Sequence, residues 1–491
     1  MKFALKSTVA FIALVTGSAA LAQHEGHQMP PAPQQPAQQP AQEPAPAPDP
    51  HAGHQMPAPE QAAPAQTPSA DPHAGHDMTA PEQAPAPAEA HAGHDMSAME
   101  GHDMTGALGP YPMAREASGT AWQPDSSRHT GIHLASGDWS FMFHGNVDLV
   151  YSWQEEPRGD EKLFPAGMLM GVARRPIGNG TLQFKAMLSP DPLMGKKGYP
   201  LLLASGETAN GHDPLIDRQH PHDFFMELSA SASQNIGPKT SLFLYGGLPG
   251  EPAFGPPAFM HRQSISASPE APISHHWLDS THITFGVLTA GLVHGNFKLE
   301  VSQFNAREPD EHRWNLETGR LDSTAVRLSW NPTANLSLQG SWGDFEEPEQ
   351  LEPGVDQKRW SASGTYTRPM ANGWWSTTLA WGRKSLEGED FDAFALESSV
   401  NWKDWTLFGR GEITENNELL PHHDDEEEDH HGEAFRVGKV SLGLVRDFRL
   451  AQHLKFGVGG LYAFNFVPNE LEEAYGGDPQ GAMAFVRLKV D

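Results

Sequence analysis

Between His24 and Met104 one short phrase recurs: HEGHQM, HAGHQM, HAGHDM, HAGHDM and a clipped EGHDM. The full copies supply the donor sets His24, His27 and Met29; His51, His54 and Met56; His73, His76 and Met78; and His91, His94 and Met96. The clipped copy keeps His102 and Met104. Imidazole suits Cu(II) and other borderline cations, whereas thioether sulfur selects Cu(I). Zinc or nickel would need only the histidines, so the repeated Met points to copper, with silver or another divalent metal behind it. The plainer alternative is a compositional tract acting as an unselective metal sponge. Each copy offers about three ligands and is modest alone, but several on one flexible chain raise the effective concentration.

The residues before and between these phrases say where such chemistry belongs. Lys2 and Lys6 flank an apolar run over 9–14, and the Ser18–Ala22 stretch has small residues at the A-x-A positions. That is a secretory signal peptide, 1–22, with cleavage expected after Ala22. No later stretch reaches the roughly 20 apolar residues that a spanning helix requires. The chain has no Cys, so Met is its only soft ligand. A net charge of -29, from 62 acidic and 33 basic residues, excludes general nucleic-acid binding. Lys and Arg are absent between Lys6 and Arg115. Residues 23–108, rich in Pro and Ala, cannot bury a core and are expected to form a disordered metal-binding tail.

After a junction over 109–137 the physics changes. From 139 to 153, Trp139, Phe141, Phe143, Gly145, Val147, Leu149, Tyr151 and Trp153 share one face, with Met142, His144, Asn146 and Asp148 on the other. A period of two this long is a β-strand. Phe141 to Tyr151 extends about 33 Å, which a tilt of about 40° reduces to the roughly 25 Å apolar band of an outer-membrane barrel. Comparable segments recur at 166–174, 181–189, 223–233, 240–247, 281–291, 296–304, 323–330 and 336–344. Others lie at 359–367, 374–384, 391–402, 405–415, 433–445, 454–466 and 482–490. The expectation is an all-β chain: a transmembrane antiparallel β-barrel of about 16 strands over 138–491.

The connections carry the same message. Short turns at 176–180, 235–239, 292–295, 331–335, 368–373, 403–404 and 447–452 alternate with longer links, 385–390 excepted. Barrels of this kind have tight periplasmic turns and larger external loops. An even strand number then leaves both ends, and the tail, in the periplasm. One departure is the terminus, Leu488-Lys489-Val490-Asp491, which lacks the final aromatic common in this class, although Val486, Leu488 and Val490 keep the alternation.

Three long links concentrate His, Arg and carboxylates: 217–223, 250–282 and 305–313. Three readings compete. Arg–carboxylate forks could pin the loops into the pore. A metal site could gather His220, His222, His275, His276, His282 and His312. A hydrolase could use a pair such as His220 and Asp223 to activate water. The network is preferred, because Arg218, Arg262, Arg307 and Arg313 would oppose a cation and no partnered nucleophile is visible. The acidic link over 421–431 reads as a solvated charge run, or as a concentrator of divalent cations. Inward-facing Met142, His144 and Met187 could line a soft-metal path, with packing the commoner explanation for each Met.

The segments YPMAREASGTAW (111–122), DRQHPHDFFME (217–227), GEPAFGP (250–256), HHWLDSTHITFG (275–286) and FNAREPDEHR (304–313) together resemble a poorly characterised family of Gram-negative outer-membrane β-barrel proteins. That resemblance covers most of the chain from Tyr111 onward and implies association with heavy-metal resistance, without defining a reaction. The tail is similar to that of outer-membrane copper resistance protein B in His/Met-rich composition only; the barrel segments do not follow that family's pattern. The expected role is therefore copper or silver binding, resistance or transport by a non-enzymatic barrel of the cell outer membrane. Its expected partners are outer-membrane lipid and lipopolysaccharide, metal ions and periplasmic metal-resistance proteins. Two alternatives stand beside it: a porin-like channel with the tail as passive buffer, and a hydrolase at the extracellular mouth.

Overall fold

In the computed structural model the described residues are 105–128, 130–420 and 433–491. All the donor sets of the repeats lie outside them, as does the link 421–432.

Period-two patterning becomes a ring of strands. In chain order these are β1 (Ile132–Ser136), β2 (Trp139–Gln154), β3 (Glu161–Ile177), β4 (Gly180–Leu188), β5 (Tyr199–Thr208), β6 (Pro214–Gln219) and β7 (Phe225–Gly237). Next come β8 (Thr240–Gly247), β9 (Val287–His294), β10 (Phe297–Phe304), β11 (Ser323–Thr333), β12 (Leu336–Phe345) and β13 (Gln357–Met370). The last are β14 (Gly373–Leu386), β15 (Glu389–Trp402), β16 (Trp405–Asn416), β17 (Phe435–Ala451), β18 (Leu454–Phe466) and β19 (Gln480–Val490). Every pairing is antiparallel, and β19 returns to β2 with Ala484 opposite Tyr151, which closes the barrel. The small strand β1 extends the edge of β2 below β19, and β5–β6 form a separate hairpin. Sixteen of the seventeen strands in the large sheet, all but β1, make the closed wall.

The two faces of that wall are opposites. Outward lie Phe143, Leu149, Leu169, Phe184, Leu244, Leu299, Leu379, Leu407 and Leu442, all exposed, with Leu163 at 62%. A continuous apolar belt on a closed barrel is the lipid-facing surface of an outer-membrane-type protein. Inward lie Asp148, Lys298, Glu300, Arg327, Arg410, Lys439 and Arg487, all buried. They pair across the wall: Arg487–Asp148 at 2.6 Å, Lys298–Glu300 and Arg327–Glu300 each at 3.1 Å. Buried charges persist only when paired and hydrogen-bonded, so this interior is a fixed lattice.

Most segments begin or end a few residues from expectation, 166–174 widening to Glu161–Ile177, and two of the differences are instructive. The segment 281–291 is not all strand: Ser280–His282 is a 3-10 turn and β9 starts at Val287. Ile283 and Phe285 pack inside, against the methionines of the wall, and an inward extended link alternates just as a lipid-facing strand does. The segment 433–445 runs on to Ala451, with Arg446 over the Trp405 and Phe448 rings at 5.2 and 4.8 Å, so the turn expected at 447–452 narrows to 452–453.

The lumen is filled from both ends. The links 189–224 and 248–286 fold inward, and Leu201, Leu202 and Leu203 of the hairpin are wholly buried. From the turn end, the junction rises into the barrel. Thr120 accepts from Lys298 through its carbonyl and from Arg327 through its hydroxyl (2.9 Å). The two plugs meet where the Ala258 amide donates to Ser118 Oγ at 2.8 Å.

Candidate metal centre

The centre is built by two of those inward links. Pro221 fixes its own φ and biases His220 toward an extended backbone, so His220 and His222 project together, with ring centroids 6.5 Å apart. In the second link a single helical turn, His275–Leu278, presents His275. It is tied to the wall by Ser274 Oγ donating to Glu412 (2.7 Å) and Trp277 Nε1 donating to the Phe391 carbonyl (3.0 Å). The 3-10 turn that follows adds His282.

His222, His275 and His282 converge. Ring centroids lie 5.0 Å apart for His222–His282 and 5.2 Å for His275–His282. One ring nitrogen from each falls within 4.8 Å of the others. Each Nδ1 is committed: His222 to Asp191 Oδ2 at 2.9 Å, His275 to Asp279 Oδ1 at 2.8 Å, and His282 to the Asp279 carbonyl at 2.7 Å. With the proton held on Nδ1, Nε2 is left as a lone-pair donor. All three Nε2 atoms are buried and have no hydrogen-bond partner among the described residues. A buried, unsatisfied nitrogen is costly unless something else takes its lone pair. Carboxylate or carbonyl behind Nδ1 with Nε2 free is the arrangement that orients metal-ligating histidines.

The surroundings keep His275 and His282 neutral and shield the three rings. Phe259 closes one side, its ring 6.2, 5.8 and 6.4 Å from those of His222, His275 and His282. Burial pushes the His275 imidazolium down, against the pull of Asp279, and pushes His282 well down, with His222 and His275 adding to it. Burial would by itself raise the Asp279 carboxyl. The Arg262 guanidinium, 2.5 Å away, and His275 instead hold it well below the usual carboxylate range. Neutral imidazoles beside an ionised carboxylate are ready ligands at neutral pH. Three nitrogens leave a fourth position, and a cavity of about 50 Å³ touches His220, His222, Asp191 and Phe259. That is room for at least one water beside His222.

The arginines that seemed to oppose a cation are each answered by carboxylates. Arg262 forks onto Glu397 at 2.7 and 2.9 Å as well as Asp279. Arg313 pairs with Glu207 and with Asp223 (3.2 Å), Arg218 with Asp160 (3.0 Å) and Arg307 with Asp322 (3.5 Å). The expected network therefore exists, and it supports the histidines rather than excluding a metal.

Of the six candidate link histidines, five come together and His312 does not; it is exposed on the rim beside Asp310 at 3.2 Å. His276 follows His275 on the same helical turn and so points elsewhere, its Nδ1 2.9 Å from Glu308. A Cβ at Gly206, which holds φ +105, would stand 2.6 Å from His276 Nε2. That nitrogen therefore faces backbone. His220 sits between the groups, 6.0 Å from His275 and 5.7 Å from His276. Its Nδ1 is 3.1 Å from Glu207, out of line for a hydrogen bond. The His220–Asp223 pair considered for water activation does not form, since Asp223 faces Arg313. Asp191, Asp279 and Phe259 were not singled out from sequence. Asp279, four residues after His275, was within reach of an (i, i+4) argument, whereas Asp191 and Phe259 join the site only through the folding of the links.

No protein-family model and no curated protein matches the chain. Among solved structures it is similar to OmpF of Salmonella typhi in complex with daunomycin (10% identity, 73% of this chain and 100% of that one, TM-score 0.45). It is also similar to OprB of Pseudomonas putida (8%, 71% and 94%, 0.44) and to an anion-selective porin from Comamonas acidovorans (13%, 72% and 99%, 0.42). The likeness is of one barrel to another.

Proposed function

We propose that this chain is an outer-membrane metal-handling protein whose barrel binds a late first-row transition-metal ion through His222, His275 and His282. One observation carries the reading: three buried imidazoles share a focus, with every Nδ1 already donated and every Nε2 bare. Such a trio suits copper or zinc. The Met-bearing repeats from His24 to Met104 incline the choice to copper, with silver as a soft companion. On this reading the tail lies in the periplasm, gathers metal for the barrel and meets periplasmic metal-resistance proteins there, while the belt rests in lipid and lipopolysaccharide.

The test is metal content and Cu(II) electron paramagnetic resonance of the detergent-purified full chain against a His222→Ala/His282→Ala variant. The expected result is loss of one ion per chain together with a nitrogen-rich signal. Unchanged stoichiometry and spectrum would refute the centre.

A second reading, a porin-like channel, is favoured by a cavity of about 590 Å³ reaching charged turn-end residues such as Lys403, Asp404, Lys455 and Lys489. It requires the filled lumen to open. Steady ion conductance of the intact chain in planar bilayers is the result that would favour it.

A further inference from the structure

We propose that His144, Met170, Met187 and His261 form a second, softer site, which takes a thiophilic monovalent cation, Cu(I) or Ag(I). The site stands apart from the three-histidine centre and does not depend on it. Its basis is strand register. His144 on β2 lies directly opposite Met170 on β3, and Met170 lies directly opposite Met187 on β4. Directly opposed residues share a face with Cβ atoms about 4.5–5.5 Å apart, so one imidazole and two thioethers form a row across three strands.

The inward link completes the row. His261 brings Nε2 to 3.3 Å from Met187 Sδ, and its ring lies 6.1 Å from that of His144. For a tetrahedral ion with nitrogen bonds of about 2.0 Å and sulfur bonds of about 2.3 Å, the two donors would stand about 3.5 Å apart. The present 3.3 Å contact, an imidazole–thioether hydrogen bond in itself, is close to the spacing of two ligands on one ion. Two nitrogens and two thioether sulfurs favour Cu(I) over hard or borderline divalent ions.

Packing is the competing explanation, because Met fills irregular gaps. Six of the chain's 17 methionines gather in this one cluster, and space-filling would account for the deepest, Met226. The row itself borders space instead: His144, Met170 and His261 line the cavity of about 590 Å³. The nearby ammonium groups are neutralised, Lys185 by Glu227 at 3.2 Å and Lys489 by Asp491 at 3.4 Å.

Position adds a role. The cavity reaches the turn end of the barrel, where Trp374, Asn401 and Asp404 also line it. Its inner wall includes Asn146, Met168, Met260 and Ser266, which line the small cavity at His222 as well. The soft row's binding does not need the nitrogen-only centre, but a role as way-station between the turn-side mouth and that centre rests on the function proposed above.

Silver is the probe, since Ag(I) mimics Cu(I) without redox change. In crystals of the full chain grown with silver nitrate, an anomalous peak is expected among His144, Met170, Met187 and His261. Titration should find one Ag(I) fewer per chain in Met170→Leu/Met187→Leu, a nearly volume-conserving pair whose barrel closure is checked by heat-modifiable gel mobility. The His222→Ala/His282→Ala variant should keep the peak, which separates this site from the centre above. Silver found at the three histidines alone, or nowhere within the barrel, would overturn the proposal, as would full silver binding by the closed double-Leu variant.

Discussion

The three-histidine centre and the methionine row occupy one lumen but are held by different means. His222, His275 and His282 hang from inward links, and each needs a partner behind it, Asp191 or Asp279, to fix its ring. Three of the row's four donors need no such props, because antiparallel register sets His144, Met170 and Met187 side by side, and only His261 arrives on a link. Strands can supply spacing but only along the wall. Links can reach the axis, and must then carry their own orienting groups. The two clusters should therefore respond differently to the same insult.

The largest difference should follow loss of the tether that holds the second link. Arg262 is buried between Asp279 and Glu397 of β15, and truncating one member of a buried ion set costs about 3–5 kcal/mol. Arg262→Ala is expected to release the link, abolish metal binding at the histidines and raise planar-bilayer conductance. The strand-borne His144, Met170 and Met187 should keep their positions, while His261, next to Arg262 on the link, leaves the row. Conductance equal to the wild type would show that the tether lies elsewhere.

Asp279→Asn is the sharper version. It weakens the group behind His275 and the charge facing Arg262, and loss of an orienting partner typically lowers metal affinity about 10–100-fold. Competition titration should detect that fall for copper with silver binding at the row unaltered. Asp191→Asn should do less, about tenfold, since the amide oxygen can still accept from His222.

Acid should read out the link histidines and pass over the thioethers. Burial holds His275, His276, His282 and His220 neutral in the folded chain, whereas the unfolded chain takes up protons below about pH 6.5. Below that pH the unfolded state binds more protons, so stability drops as pH falls, until the folded histidines titrate. Thermal denaturation from pH 7 to pH 5 should show that decline, and replacing His220 by Gln should reduce it. Thioethers do not titrate, so Met170→Leu/Met187→Leu should leave the slope unchanged.

Legibility followed the same division. The wall was readable because its rule is local: apolar side chains alternate toward lipid, and turns such as 403–404 are short. The segments at 240–247 and 454–466 coincide with β8 and β18. The lumen was not readable in that way. The alternation of Thr281, Ile283 and Phe285 follows the strand rule while serving the interior, and the hairpin β5–β6 was hidden inside a link. The five gathering histidines were visible as donors. What tipped the reading toward a plain loop network was the neighbouring arginines, because their carboxylate partners, Glu207 and Glu397, come from distant parts of the chain. The histidine and methionine repeats lie outside the described residues.

The junction that fills the turn end also constrains the order of assembly. Thr120 precedes every strand, yet the groups that grip it, on Lys298 and Arg327, are 178 and 207 residues further on. It cannot be gripped until β10 and β11 exist. Pairing of β2 with β19 encloses that segment. Contacts of such long sequence separation make folding slow. The final stitch of the cylinder is thus also the step that imprisons its own leading edge.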